Sequence, residues 1–141
     1  MKKVIALMLI LVIAMSALAM NVSAYGMGGT SIYNSSGTKI GSGSLWDEPN
    51  SSPLTLGGEM TSYSNSTLTV VLKPRGIDLS TGATNVLIAV SPKSKSNTTY
   101  VSHTYDVDPS QYYPTLAAAT FIINGIYSAD YSYSGGWNWG Y

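Results

Sequence analysis

Beyond the first two dozen residues, apolar side chains in this sequence alternate with polar ones and almost nowhere recur at the three- and four-residue spacing of a helix. The longest exception, 113–123, carries Pro114 near its start and ends in Thr120-Phe121-Ile122-Ile123, whose β-branched side chains disfavour a helix. Period-two patterning instead places short strands at 30–33, 38–45, 54–60, 66–73, 85–91, 99–107, 116–123 and 126–133, with a further one at 137–141. The separators, at 34–37, 48–53, 63–65, 74–83, 92–98 and 108–114, are rich in Asn, Asp, Gly, Pro and Ser, the residues that make turns. This spacing predicts an all-β chain, a β-sandwich or jelly roll of eight or nine short, mostly antiparallel strands in a single domain.

The sharpest local signal is Asn124-Gly125 between two apolar-rich runs. A two-residue type I′ turn needs positive φ at both central positions, which Asn and Gly supply at low cost. Counting outward pairs Ile123 with Ile126, Ile122 with Tyr127, Thr120 with Ala129, Ala118 with Tyr131 and Leu116 with Tyr133, setting a small alanine against a large tyrosine. Tyr127, Tyr131, Tyr133, Trp137, Trp139 and Tyr141 all hold odd positions, so one face of this C-terminal run is aromatic. Fully extended, the 15 residues would span about 50 Å, and Gly135-Gly136 is expected to break them, leaving 134–141 as a tail or last strand. Two uses for these aromatics stay open. Either 127–133 complete the domain's own core, or Tyr131, Tyr133, Trp137, Trp139 and Tyr141 anchor the chain to a neighbour.

The N-terminus reads as an address. Lys2 and Lys3 precede an apolar run over 4–20, and Val22-Ser23-Ala24 offers small residues where a signal peptidase cuts, so 1–24 is expected to be removed and Tyr25 to begin the mature domain, 25–141. An uncleaved membrane anchor is the competing reading, since the run lies at the short end of what spans a bilayer. A leader cut ahead of its apolar stretch, as in a type IV pilin, does not fit, because the small-residue site follows the stretch.

The core available after Ala24 is thin: 22 Leu, Ile, Val and Phe residues, against 32 Ser and Thr and all 11 Tyr. Five basic residues against seven carboxylates in the same segment argue against nucleic acid as a partner. With no cysteine there is no disulfide, thiol nucleophile or cysteine-bound metal. His103 is the single histidine and shares a strand face with Val101, Tyr105 and Val107, which suits a half-buried structural role. Asp106 and Asp108 share a face near Ser110, but calcium wants six to eight oxygens and nothing adjacent completes the set. Asp47 and Glu48 are adjacent and diverge on an extended chain, so they make no glycosidase pair. Gly26, Gly28 and Gly29 open no helix and are expected to form a mobile arm rather than a phosphate loop. No catalytic, metal or cofactor site is therefore expected. In the mature segment 25–141, sequons begin at Asn34, Asn50, Asn65 and Asn97, each in or beside an expected turn that a glycan would not disturb.

A leader with its site at Val22-Ser23-Ala24, no cysteine, strands rich in Ser, Thr, Tyr and Asn, and the terminal aromatics Trp137, Trp139 and Tyr141 together resemble small secreted subunits of archaeal cell-surface assemblies. These are the donor-strand filaments, such as threads, bundling pili and cannula-like tubes, and the methanogen sheath proteins. The resemblance is one of composition and layout, with no diagnostic motif. It implies a secreted, non-catalytic structural protein, a β-sandwich completed by a neighbour's strand, with further copies of itself as partner, N-linked glycans or surface polysaccharide as accessories, and no membrane once the leader is gone. Two other readings stand beside it. A secreted carbohydrate-binding or adhesion module would stack sugars on Trp46, Trp137 and Trp139. A small outer-membrane barrel is suggested by Ser134, Gly136, Trp139 and Tyr141 at the end, although alternation is weak over 30–60.

Overall fold

The structure, a computed structural model, describes residues 25–48 and 54–133. It is all-β and entirely antiparallel: β1 (Tyr25–Tyr33), β2 (Lys39–Glu48), β3 (Leu54–Leu72), β4 (Arg75–Asp78), β5 (Val86–Leu87), β6 (Lys93–Val107), β7 (Tyr112–Ile123) and β8 (Tyr127–Tyr133). The main path runs β1-β2-β3-β7-β4-β5, with β6 beside β3 and β8 beside β7. The expected sandwich or jelly roll implies separate sheets, whereas this hydrogen-bond ladder is continuous through one open eight-stranded sheet.

The sheet turns back on itself at β3. The first half of β3 lies between β2 and β6; the second half lies between β6 and β7. At the corner between Thr61 and Ser66 the register shifts, and the hydroxyls of buried Ser62 and Ser66 both donate to the Ser64 carbonyl, at 2.7 and 3.1 Å. Beyond the corner, Val70 and Leu72 fold over the strand's own first half: a Cβ on Gly58 would lie 3.0 Å from Val70 Cγ1 and 2.8 Å from Leu72 Cδ2.

Glycines on the inner side of β2 let the two halves close. A Cβ at Gly43 would meet Cγ, Cδ1 and Cδ2 of Phe121 at 2.2–2.6 Å, and one at Gly41 would meet Cδ1 of Ile123 at 2.9 Å. Phe121 is fully buried, at the centre of a cluster that includes Ile32, Leu45, Leu56, Met60, Leu68, Val70 and Val101. Small core residues on one half facing large ones on the other keep the thin apolar inventory densely packed.

Several expectations are corrected. The strands expected at 54–60 and 66–73 are one strand, because the serine-rich segment between them satisfies its own polar groups at a corner and does not reverse the chain. β4 lies inside the loop expected at 74–83, while the strand expected at 85–91 shrinks to Val86–Leu87. Residues 93–98 are strand rather than turn. They lack apolar residues but are tied to β3 through hydroxyls, Thr69 with Ser94 at 2.7 Å and Thr67 with Ser96 at 3.3 Å. The expected mobile arm at Gly26, Gly28 and Gly29 is part of β1, with Met27 buried; Gly28, at φ 122°, sits in a bulge against Tyr131.

The β7–β8 turn has positive φ at Asn124 (54°) and Gly125 (67°), and Ile126 N–H donates to the Ile123 carbonyl. The register is nonetheless one residue off the expected one. Ile123 pairs with Tyr127, Thr120 with Asp130, Ala119 with Tyr131 and Ala117 with Tyr133, leaving Ile126 as the third residue of the turn, 74% exposed. A one-residue slip exchanges the faces of a strand. This one sets Tyr127, Tyr131 and Tyr133 opposite buried Ile123, Ala119 and Ala117 instead of Ile122, Ala118 and Leu116. Asn124 secures the turn to β3 by two hydrogen bonds with Thr67, its N–H donating to the Thr67 carbonyl and its Oδ1 accepting from Thr67 N–H.

Gly43→Ala should lower stability by about 2–3 kcal/mol, the upper part of the overpacking range, read as a lower urea midpoint at unchanged slope. Adding Phe121→Leu to Gly43→Ala should recover part of the loss, although Phe121→Leu alone destabilises. A second prediction concerns Asp47, a 5% exposed carboxyl on the core side of β2 whose pKa burial raises from its ordinary 3.8. A raised value favours the neutral acid in the fold, so its stabilisation is present below the ordinary pKa and lost as pH rises through the folded one. Asp47→Asn should therefore raise the urea midpoint at pH 7, and the advantage should disappear in strong acid.

Candidate functional site

The longest strand edge without a described partner strand is the outer edge of β6, where the Thr98 hydroxyl caps both N–H and C=O of Tyr100. Over its 15 residues β6 pairs with β3 on one side and with no described strand on the other. Its first part is poor ground for a further strand: Lys93 and Lys95 are charged and exposed, and Asn97 bends the backbone at φ 51°. The second part, 99–107, is uninterrupted in its pairing from Tyr100 to Val107.

The aromatic residues expected to anchor a neighbour divide. Tyr131 is half-buried against the chain's own core, and its hydroxyl donates to the Met27 carbonyl at 2.9 Å, bridging β8 to β1. Tyr133 likewise packs on the core cluster, opposite Ala117. Both make contacts within the chain that carries them. Trp137, Trp139 and Tyr141 lie outside the described residues, as do the expected leader 1–24 and Asn50.

Three sequon asparagines fall within the structure. Asn34 heads the β1–β2 turn, where its Oδ1 accepts from Ser36 N–H, Ser36 Oγ and Thr38 N–H at 3.1, 2.7 and 2.9 Å. All three bonds use the oxygen and none uses the amide nitrogen that a glycan would occupy. Asn65 is exposed at the β3 corner, and Asn97 is exposed at the β6 bend. The same Asx-x-Ser geometry recurs at two aspartates. Asp78 accepts from Ser80 N–H and Oγ at 2.8 and 2.6 Å, and Asp108 from Ser110 N–H and Oγ at the same distances. The serine hydroxyl and amide hold both carboxyls below the ordinary range.

Asp106 is occupied elsewhere, accepting from Thr55 Oγ1 at 2.6 Å, so the two aspartates do not converge on one point. No group of three or more potential metal ligands occurs among the described residues. His103 Nε2 lies 2.8 Å from the Ser91 carbonyl, a contact in which the ring donates, and it ties the segment after β5 to β6.

The outer face of β1, β2, the first half of β3 and β6 carries an arrangement the sequence did not announce. Trp46, Gly57 and Thr104 form one cross-strand row; Gly29, Ser44, Glu59 and Ser102 the next; Ser31, Ser42, Thr61 and Tyr100 the third. Glu59 accepts from Ser44 Oγ at 3.3 Å on one oxygen and from the Tyr100 hydroxyl at 3.0 Å on the other. Hydrogen bonding to Glu59 raises the Tyr100 pKa above its ordinary value. Ser42 and Thr61 hydroxyls share a hydrogen bond of 3.1 Å.

The chain matches no known family model, no characterised protein and no solved structure. Tyr131→Phe should cost about 1 kcal/mol, the worth of one hydrogen bond, and the loss should be the same at every protein concentration. A concentration-dependent loss in the urea midpoint would return Tyr131 to an intermolecular role.

Proposed function

We propose that this chain is an exported, non-catalytic structural protein that polymerises by adding a strand from one copy to the sheet of the next. The observation that carries this reading is the open edge of β6, whose backbone over 101–107 has no described partner strand. Strand addition to such an edge supplies main-chain hydrogen bonds, while alternate side chains of the incoming strand supply specificity. The donor in this reading is the segment 134–141, with Trp137, Trp139 and Tyr141 as anchors, since Tyr131 and Tyr133 are engaged within their own sheet. Eight extended residues reach about 26 Å, which suits the uninterrupted part of the edge. The low charged fraction of 10% reduces repulsion between copies. Removal of 1–24 ahead of Tyr25 and glycans on Asn34, Asn50, Asn65 and Asn97 belong to the same reading.

The test is deletion of 136–141. The full mature chain should form polymer visible by negative-stain microscopy, and the truncated one should remain a folded monomer by sedimentation. Each buried aromatic contributes about 2 kcal/mol or more, so the polymerisation threshold should rise by several orders of magnitude in concentration. Normal polymer from the truncated chain would overturn the assignment of the donor.

A further inference from the structure

The outer face of the β1–β2–β3–β6 half carries a second candidate site, independent of the open edge. If Gly57 had a Cβ, its three nearest atoms would be Cε2, Cζ2 and Cδ2 of Trp46, at 2.0, 2.2 and 2.5 Å. Cε2 is a ring-fusion carbon whose three in-plane directions are taken by bonded atoms, so a point nearest to it lies above the ring rather than at its edge. The indole therefore lies flat on the Gly57 backbone. One face is covered by the sheet, the opposite face points away from it, and the residue keeps part of its surface exposed.

Beside this platform lies a shallow groove of about 320 Å³, lined by Gly29, Thr30, Ser31, Ser42, Gly43 and Ser44. Gly29 is required at its floor, since a Cβ there would lie 2.3 Å from the Gly43 carbonyl oxygen. Ser42 and Ser44 present hydroxyls, and the Glu59 carboxylate stands on the next strand, fixed on both oxygens by Ser44 and Tyr100. The groove is therefore edged by a flat aromatic surface and by pre-positioned hydroxyl and carboxylate groups. The rows that form this face contain no lysine or arginine, and Glu59 is their charged group, with Glu48 and Asp106 one row beyond Trp46.

We infer that this face binds a neutral pyranose chain. A pyranose ring has a C–H face that matches an aromatic plane and a rim of hydroxyls that donate to a carboxylate and exchange hydrogen bonds with serines. A groove of this size sits at the small end of ligand sites, which suits one or two sugar units on an open surface. The fixed carboxylate and the absence of a cation on the face select against uronic or sialic acid units, whose own carboxylates it repels.

The experiment uses the full mature chain below its polymerisation threshold, with the Trp46 indole N–H assigned in 15N–1H spectra by its disappearance in Trp46→Phe. Dextran, mannan and chitohexaose are the neutral probes, and polygalacturonate is the anionic control. At least one neutral probe should shift the Trp46 signal saturably, and polygalacturonate should not. Trp46→Ala should weaken retention of that probe by about tenfold or more, and Glu59→Gln by about fivefold. Ser31→Tyr, which fills the groove without touching Trp46, should abolish retention at unchanged thermal midpoint, so a folding defect in Trp46→Ala does not decide the matter. Equal retention by Trp46→Ala and Ser31→Tyr, preference for polygalacturonate, or no shift with any neutral probe would overturn the inference. So would a Trp46 shift that follows protein concentration instead of sugar, since the face would then be a contact between copies. Deleting 136–141 leaves this site intact, so loss of polymer and loss of sugar binding are separate outcomes.

Discussion

Everything else in the molecule depends on how closely Phe121 approaches Gly43. The chain's single phenylalanine lies with its ring against a backbone that has no side chain, and a methyl group there would stand 2.2 Å from ring carbon. The contact sets the distance between the two halves of the sheet, and Gly41 under Ile123 and Gly58 under Val70 and Leu72 hold the same spacing. Apolar side chains too few for two full inner faces suffice because one face is partly glycine.

Polar side chains complete the work that a larger core would do elsewhere. Hydroxyl pairs run across strands at Ser42 and Thr61, Thr69 and Ser94, and Thr67 and Ser96; Thr55 with Asp106 and Thr120 with Asp130 add carboxylate acceptors. Such cross-strand pairs each add a fraction of a kcal/mol, roughly 0.2–1. The ion pair of Lys73 with Asp130 at 3.8 Å is largely exposed and adds little. The turns follow the same economy, since one Asx-x-Ser pattern closes the segments that begin at Asn34, Asp78 and Asp108.

The all-β class was legible because period two and turn residues are local properties of sequence. The turn chemistry at Asn124-Gly125 was legible for the same reason, yet its register was not. Whether Ile126 pairs with Ile123 or stays in the turn is decided by which face of β7 is buried, and that depends on Gly43, about 80 residues earlier. The Ser62–Ser66 corner reads as a turn because a strand bending through its own serines has the composition of a loop. Trp46 was visible as an aromatic residue, but its partners on the sheet face were not. Gly57, Glu59 and Tyr100 join it only through the β2–β3 and β3–β6 registers, and no spacing in the sequence signals them.

β3 carries a temporal consequence as well as a spatial one. Its partners come from both directions along the chain: β2 precedes it, while β6 and β7 follow at separations reaching from Leu54 to Val107 and from Leu68 to Ile123. Non-local pairings of this kind slow folding, because loop closure has to be met before the contacts compensate for it. A chain delivered N-terminus first, from a ribosome or through a membrane pore, can form the β1–β2–β3 meander early. The inner face of that meander stays uncovered until Phe121 has emerged, so the order of emergence makes the last third of the sequence the step that commits the fold.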